Sequence, residues 1–261
     1  MARVNGTGSI RASLGPATRV FPPPGAGPLG LLLLDTRFTR HPGDLGRPDA
    51  WGCAVLAHTV SRAEPARVVR SAGGFAQEAL LPSFIDGARR LRAQGAVAIT
   101  TSCGFLVLAQ HELQQAVDVP VVTSSLLLLP RLLREERRVG VLTIDARVLG
   151  PEHLFAAGVP ADRLIDVAIH GVDPGSHFAT AILRNESLLE VAQAKQDVVA
   201  AALALRAREP GLRTIVLECT NMPPYAQAMS QATGCRVSSL PDHPVLQAMR
   251  KGEGGPPVAG A

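Results

Sequence analysis

Two stretches of this chain spell out the same order of parts. Gly95-Ala-Val-Ala-Ile-Thr-Thr-Ser-Cys103 is an apolar run closing on a cysteine, followed by the helical pattern Leu106–Val117 and then Pro120-Val-Val-Thr-Ser-Ser125. Leu212-Arg-Thr-Ile-Val-Leu-Glu-Cys219 leads likewise into Tyr225–Ala232 and Cys235-Arg-Val-Ser-Ser239. From cysteine to second serine the gap is 22 residues in the first stretch and 20 in the second. Upstream, Leu31-Leu-Leu-Leu-Asp35 pairs with Val139-Gly-Val-Leu-Thr143-Ile-Asp145, so Asp35/Asp145, Cys103/Cys219 and Ser125/Ser239 are offset by 110, 116 and 114 residues. Solenoid repeats run to about 20–50 residues, so a period this long marks a duplicated domain.

Short runs rich in Val, Ile and Leu alternating with helical patterns specify parallel strands buried on both faces. The sequence therefore predicts an α/β fold of two pseudo-symmetric three-layer lobes, each with a mostly parallel sheet. The lobes are placed at 28–136, carrying Cys103, and at 137–239, carrying Cys219, with 1–27 as a flexible leader. The expected strands are Leu29–Leu34, Cys53–Val60, Ala96–Thr101, Val121–Thr123, Val139–Thr143, Leu164–Ile169, Thr214–Leu217 and 235–239. A helix is expected over Phe75–Ala93, with Pro82 either kinking it or marking its first turn. The longest helix is expected over Glu186–Arg208, and another over Pro244–Lys251. Ser124, Ser125, Ser238 and Ser239 are expected to cap the helices that follow them.

Composition narrows the function. Aromatics make up only 3% of the 261 residues, which argues against a base-stacking surface and hence against nucleic acid as a partner. A net charge of +4 fits a small anionic substrate. No apolar run reaches the roughly 18 residues needed to cross a bilayer, so no membrane partner is expected. The four cysteines, at 53, 103, 219 and 235, show no Cys-x-x-Cys and no zinc-like spacing. Without an apparent secretory signal, reduced thiols and a cytoplasmic location are expected.

A cysteine ending a parallel strand lies at the sheet edge where open α/β folds bind ligands, and the helix N-terminus after it favours a thiolate. One such thiol per lobe, facing across an inter-lobe cleft, suits two-base proton transfer at a carbon next to a carboxylate. One thiolate removes the α-proton and the opposite thiol returns one to the other face. Preorganised donors must stabilise the carbanion, and Ser102, Thr220, Asn221 and the amides after each cysteine are candidates. The scheme requires no metal and no cofactor. Cys53 and Cys235, away from strand ends, read as inert small hydrophobes.

In these features the sequence resembles the aspartate/glutamate/hydantoin racemase superfamily over roughly residues 29–250. The strand-terminal cysteine in each half carries the resemblance. Cys219-Thr220 is similar to the second cysteine motif, Cys-Thr-His or Cys-Thr-Glu, and Asp35-Thr36 to the Asp-Ser substrate loop. The resemblance implies a cofactor-independent, two-lobed enzyme in which Cys103 deprotonates one enantiomer and Cys219 the other, with 240–261 returning to the first lobe; members are often dimeric, which raises a homodimer as the assembly to test. The first motif departs from Cys-Asn-Thr, being Cys103-Gly104-Phe105, and Asn221 stands where glutamate racemases have His. Phe105 and Met222 suit a less polar or bulkier ligand, so hydantoins and other 2-substituted acids are open beside amino acids.

The expected function is a racemase or epimerase of a small carboxylic acid, amino acid or hydantoin. Maleate isomerase, an arylmalonate-decarboxylase-like enzyme and a non-catalytic anion-binding protein are the alternatives. Around the cysteines, Asp35 either orients substrate or caps a turn, Arg37 either clamps a carboxylate or is solvated, and Thr143 is a candidate substrate hydroxyl. Glu218 should alternate to the far face of its strand, which argues against a role as a base. His111 and His170 read as structural.

Overall fold

The computed structural model describes residues 27–251; residues 1–26 of the expected leader and 252–261 of the tail lie outside the described residues. Eight strands form two four-stranded sheets. The first contains β1 (Leu29–Leu34), β2 (Val55–Val60), β3 (Ala98–Thr101) and β4 (Val121–Val122) in the order β2-β1-β3-β4. The second contains β5 (Val139–Thr143), β6 (Val167–Gly171), β7 (Thr214–Leu217) and β8 (Arg236–Ser238) in the order β6-β5-β7-β8. Every pairing is parallel. The two sheets thus repeat one topology, with β1–β4 answering to β5–β8.

The registers make the equivalence residue by residue. Gly30 pairs with Ile99 and Gly140 with Ile215, while Ile99 pairs with Val121 and Ile215 with Val237. These pairings preserve the offsets of 110 and 116 and place Thr123, not Ser125, opposite Ser239 in the duplication. Ser125 instead reaches the other lobe, where its hydroxyl donates to the Leu217 carbonyl at 2.6 Å. Ser124 does cap the short turn that follows, accepting from the Leu126 amide.

The central strands β1, β3, β5 and β7 are almost wholly buried, as unbroken apolar runs require. The edges β2 and β8 are partly exposed. Two equivalent glycines bring helix and sheet close. A Cβ on Gly30 would lie 3.2 Å from Leu91 on the helix Leu81–Ala93, and one on Gly140 would lie 3.1 Å from Leu205 on the helix Val191–Arg208. The helix Pro244–Lys251 returns to the first sheet, where Leu246 and Met249 pack with Leu29, Leu31 and Trp51.

Two expected helices are shorter than their periodicity implied. The segment 75–93 divides into the helices Ala72–Gln77 and Leu81–Ala93, because Ala79 adopts a left-handed φ of 51° and Pro82 occupies the first turn of the second helix. The longest helix starts at Val191 rather than Glu186. Asn185, at φ 55°, ends the preceding helix His177–Leu183, and the chain from there to Leu189 is used to hold another segment, described below. The sixth strand begins at Val167 because 161–166 winds into a 3-10 turn.

Candidate active site

Both cysteines face one narrow pocket at the carboxyl ends of β3 and β7, with about 20 Å³ of free space, room for about one water molecule. Cys103 and Cys219 line it from the two lobes and each is 7% exposed. The walls are mostly apolar: Leu34, Phe38 and Phe105 from the first lobe, and Ile144 and Ile182 from the second. Phe105 is itself held edge-on by the His153 ring, with centroids 5.2 Å apart. The charged or titratable groups beside the cysteines are Arg40 and Glu218.

The peptide between Thr36 and Gly46 leaves β1 and crosses to the second lobe. The Arg37 amide donates to Asn185 Oδ1, the Thr39 amide to the Ser187 carbonyl and the Leu45 amide to the Thr220 carbonyl. The His41 ring also meets the Leu189 carbonyl at 2.6 Å. This crossing carries Arg40 to the pocket rim. The Arg40 guanidinium, 13% exposed, pairs with Asp44 at 2.7 Å and donates to Thr36 Oγ1 at 3.2 Å. It lies 4.8 Å above the Phe38 ring.

Asp44 continues the network inward. It is 2% exposed and accepts from Arg40, from the Gly46 amide at 2.8 Å and from Asn221 Nδ2 at 2.7 Å. The other end of the Asn221 amide, Oδ1, accepts from the Cys219 thiol at 3.5 Å. Arg40, Asp44, Asn221 and Cys219 are therefore joined in series. Thr220 ties the lobes together through its hydroxyl, which donates to the Ser102 carbonyl. Ser102 Oγ accepts from the Leu34 amide, so it braces β1 against β3.

Three expected site residues have other work. Asp35 turns away and accepts from the Arg62 amide at 2.9 Å, capping the turn after β2. Arg37 is a solvated side chain, 73% exposed and 3.8 Å from Glu64. Thr143 does not line the pocket; its hydroxyl donates to Glu218 Oε2 at 2.7 Å. The residue that takes the place expected of Arg37 is Arg40, three positions on. Its signal in the sequence was the spacing Arg40-His-Pro-Gly-Asp44, which sets an ion pair across a turn.

Glu218 is the second residue that the sequence reading passed over. Strand β7 ends at Leu217, so alternation stops before Glu218, and the turn brings its carboxyl into the pocket. There it is 1% exposed, and Oε1 has no partner. Gly104 makes room for it: a Cβ at Gly104 would lie 2.2 Å from the Glu218 carbonyl oxygen and 2.4 Å from Oε1.

Electrostatics set the resting protonation. Burial, offset in part by the Thr143 hydrogen bond, pushes the Glu218 carboxyl up to about 8. Burial also drives both thiols upward, reinforced by Glu218 when that is ionised. The Phe105 and Leu106 amides and the Arg40 charge pull Cys103 back toward the thiolate. Cys219 has only the Asn221 amide on that side, against the charges of Glu218 and Asp44. The helix-terminus effect expected from sequence is thus outweighed by desolvation, because Cys103 opens a 3-10 turn, Gly104–Ala109, sealed in the core. Of the remaining cysteines, Cys235 is buried with its thiol donating to the Leu212 carbonyl.

The chain resembles known proteins in two ways. It is 30% identical to a dimethylsulfoniopropionate lyase of Durusdinium over 83% of this chain and 74% of that protein. It is 31% identical to dimethylsulfoniopropionate lyase 5 of Emiliania huxleyi over 78% of this chain, although it spans only 41% of that longer protein. Among solved structures, an arylmalonate decarboxylase superposes with a TM-score of 0.54 at 17% identity, covering 88% of this chain and 94% of that one. A glutamate racemase of Bacillus anthracis superposes with a TM-score of 0.56 at 16% identity, covering 84% of this chain and 79% of that one. The sequence model of Asp/Glu/hydantoin racemases matches residues 54–242, from the second strand through Cys103 and Cys219 to the turn after the eighth. The chain belongs to the Asp/Glu/hydantoin racemase family.

Proposed function

We propose that this protein is a lyase that removes an α-proton from a small carboxylate carrying a β-sulfonium leaving group, as in dimethylsulfoniopropionate, with Cys103 as the base. One observation carries the reading: beside Cys103 the pocket offers a single cation, Arg40, and otherwise mostly apolar walls. Arg40 suits the substrate carboxylate. A sulfonium donates no hydrogen bonds, so apolar walls accept it without leaving a donor unpaired. An amino-acid ammonium needs acceptors, and these are engaged elsewhere: Asp35 with Arg62, and Asp44 with Arg40, Gly46 and Asn221.

The chemistry balances without further reagents. The Cys103 thiolate takes the Cα proton, and the Cα–H electron pair becomes the Cα=Cβ double bond. The Cβ–S bond breaks toward sulfur, releasing neutral dimethyl sulfide and acrylate, and the thiol returns its proton to solvent. Burial holds the thiols protonated in the free pocket, so the thiolate forms as the positive charge of the substrate enters. Similarity to the two dimethylsulfoniopropionate lyases at 30% and 31% identity supports this class over the structural neighbours, at 16% and 17%.

Racemisation is the second reading, and the equivalence of Cys103 and Cys219 favours it. The two faces are nonetheless unlike. By the offset of 116, Ser102 answers to Glu218, Gly104 to Thr220 and Phe105 to Asn221. One-sided chemistry suits such a pocket better than exchange of mirror-image substrates. The test is release of dimethyl sulfide from dimethylsulfoniopropionate, followed by headspace gas chromatography together with acrylate by NMR. Wild type should turn over, C103A should lose at least a thousandfold, and C219A should retain activity. Absence of dimethyl sulfide, with α-deuterium exchange in 2-substituted acids that needs both cysteines, would replace elimination by racemisation.

A further inference from the structure

We infer that Glu218 serves as a neutral carboxylic-acid donor to the substrate carboxylate, stabilising the enediolate that forms as Cys103 takes the α-proton. The inference rests on the carboxylate chemistry proposed above and assigns the residue that receives the charge it generates.

Hydrogen bonding fixes where the proton sits. Thr143 on β5 donates to Oε2, which makes Oε2 the carbonyl-like oxygen. Oε1 then carries the hydrogen, and Oε1 is the buried atom without a partner, lying over Gly104 next to Cys103. A buried donor left unmatched costs about 1–3 kcal/mol, and a ligand oxygen in the pocket would satisfy it. In a largely apolar site such an acid remains neutral and works as a hydrogen-bond donor, not as a base. Its hydrogen bond strengthens as negative charge moves onto the substrate oxygen, so it favours the transition state over the ground state.

The groups around it agree. Cys103 comes from the turn after β3, Cys219 follows Glu218 itself, and Arg40 and Asp44 come from the crossing peptide. Arg40 is the one cation among them, and its ion pair is with Asp44, not with Glu218. Among the described residues no lysine or arginine is paired with Glu218, and burial keeps the group protonated up to about 8.

The test reads binding without turnover. Propionate, which has the carboxylate but neither a leaving group nor a double bond, is titrated into wild type, E218Q and T143V by ligand-observed NMR from pH 6 to 9.5, with melting curves as a check on folding. Wild-type affinity should be level to about pH 8 and then fall tenfold per pH unit, to about thirtyfold weaker at pH 9.5. E218Q keeps an N–H donor and should bind within threefold of its neutral value throughout. T143V removes the hydrogen bond that favours the ionised form, so its break should move to higher pH. A pH-independent wild type, a wild type that binds more tightly above pH 8, the same break in E218Q, an unmoved break in T143V, or no propionate binding overturns the inference. Expected binding behaviour without release of dimethyl sulfide would count against the elimination and leave the donor role standing.

Discussion

Replacing Asp44 by Asn should make Cys219 more reactive although Asp44 neither touches the thiol nor lines the pocket. In the native network Asp44 accepts at both oxygens, so Asn221 must present its NH₂ to Asp44 and its carbonyl to the Cys219 thiol. In D44N the side-chain oxygen stays with Arg40 and the Gly46 amide, which leaves an NH₂ facing the NH₂ of Asn221. The clash is relieved when Asn221 turns its amide over, and Cys219 then meets a donor instead of an acceptor. Two effects favour the thiolate together: a hydrogen bond to the anion is gained, and the negative charge of Asp44, which raises the thiol, is gone. A hydrogen bond to a charged group contributes about 1.5–3 kcal/mol. At about 1.4 kcal/mol per decade that is roughly ten- to a hundredfold more thiolate at fixed pH. Iodoacetamide labelling at pH 7.5, resolved by peptide mass spectrometry, measures this, with buried Cys235 as the reference for global opening. An unchanged or slower Cys219 rate relative to Cys235 would refute the relay from Asp44 through Asn221.

Two further outcomes separate neighbouring roles. R40A should weaken propionate binding by at least tenfold, whereas R37A, removing a solvated side chain, should leave binding within twofold, both by the same NMR titration. The buried acid also shapes stability. Glu218 holds its proton more tightly when folded than at its ordinary value of 4.5, so the folded state binds the extra proton and stability falls as pH rises from there through about 8. E218Q lacks that proton, so its stability advantage over wild type, from urea unfolding, should grow by a few kcal/mol between pH 5.5 and 8.5; a constant difference would contradict the assignment.

The fold was legible because its strands carry their own limits. Leu29–Leu34, Val139–Thr143 and Thr214–Leu217 are apolar runs bounded by a charge or a turn, and they end in the structure where the sequence changes character. The cysteines were legible for the same reason, as the first polarisable side chains after such runs. Glu218 was not, since period-2 alternation holds only within a strand and β7 stops one residue earlier. Arg40 was hidden in a loop whose course depends on acceptors nearly 150 residues away, the Ser187 and Leu189 carbonyls. Thr143 was misread because its hydroxyl is claimed by a partner 75 residues on. The late start of the longest helix, at Val191, has a tertiary cause too: the Asn185 side chain before it accepts from Arg37 and donates to the Asp35 carbonyl.

The peptide that roofs the pocket is also the one that delivers Arg40. With about 20 Å³ free, the cleft admits no substrate until something gives way. Thr220 and Ser125 clamp the two halves across their seam, and the amides of Arg37, Thr39 and Leu45 pin the crossing peptide to the second lobe in the same way. Any loosening of that peptide moves the Arg40 guanidinium with it, so admission to the pocket and its charge are tied to one segment.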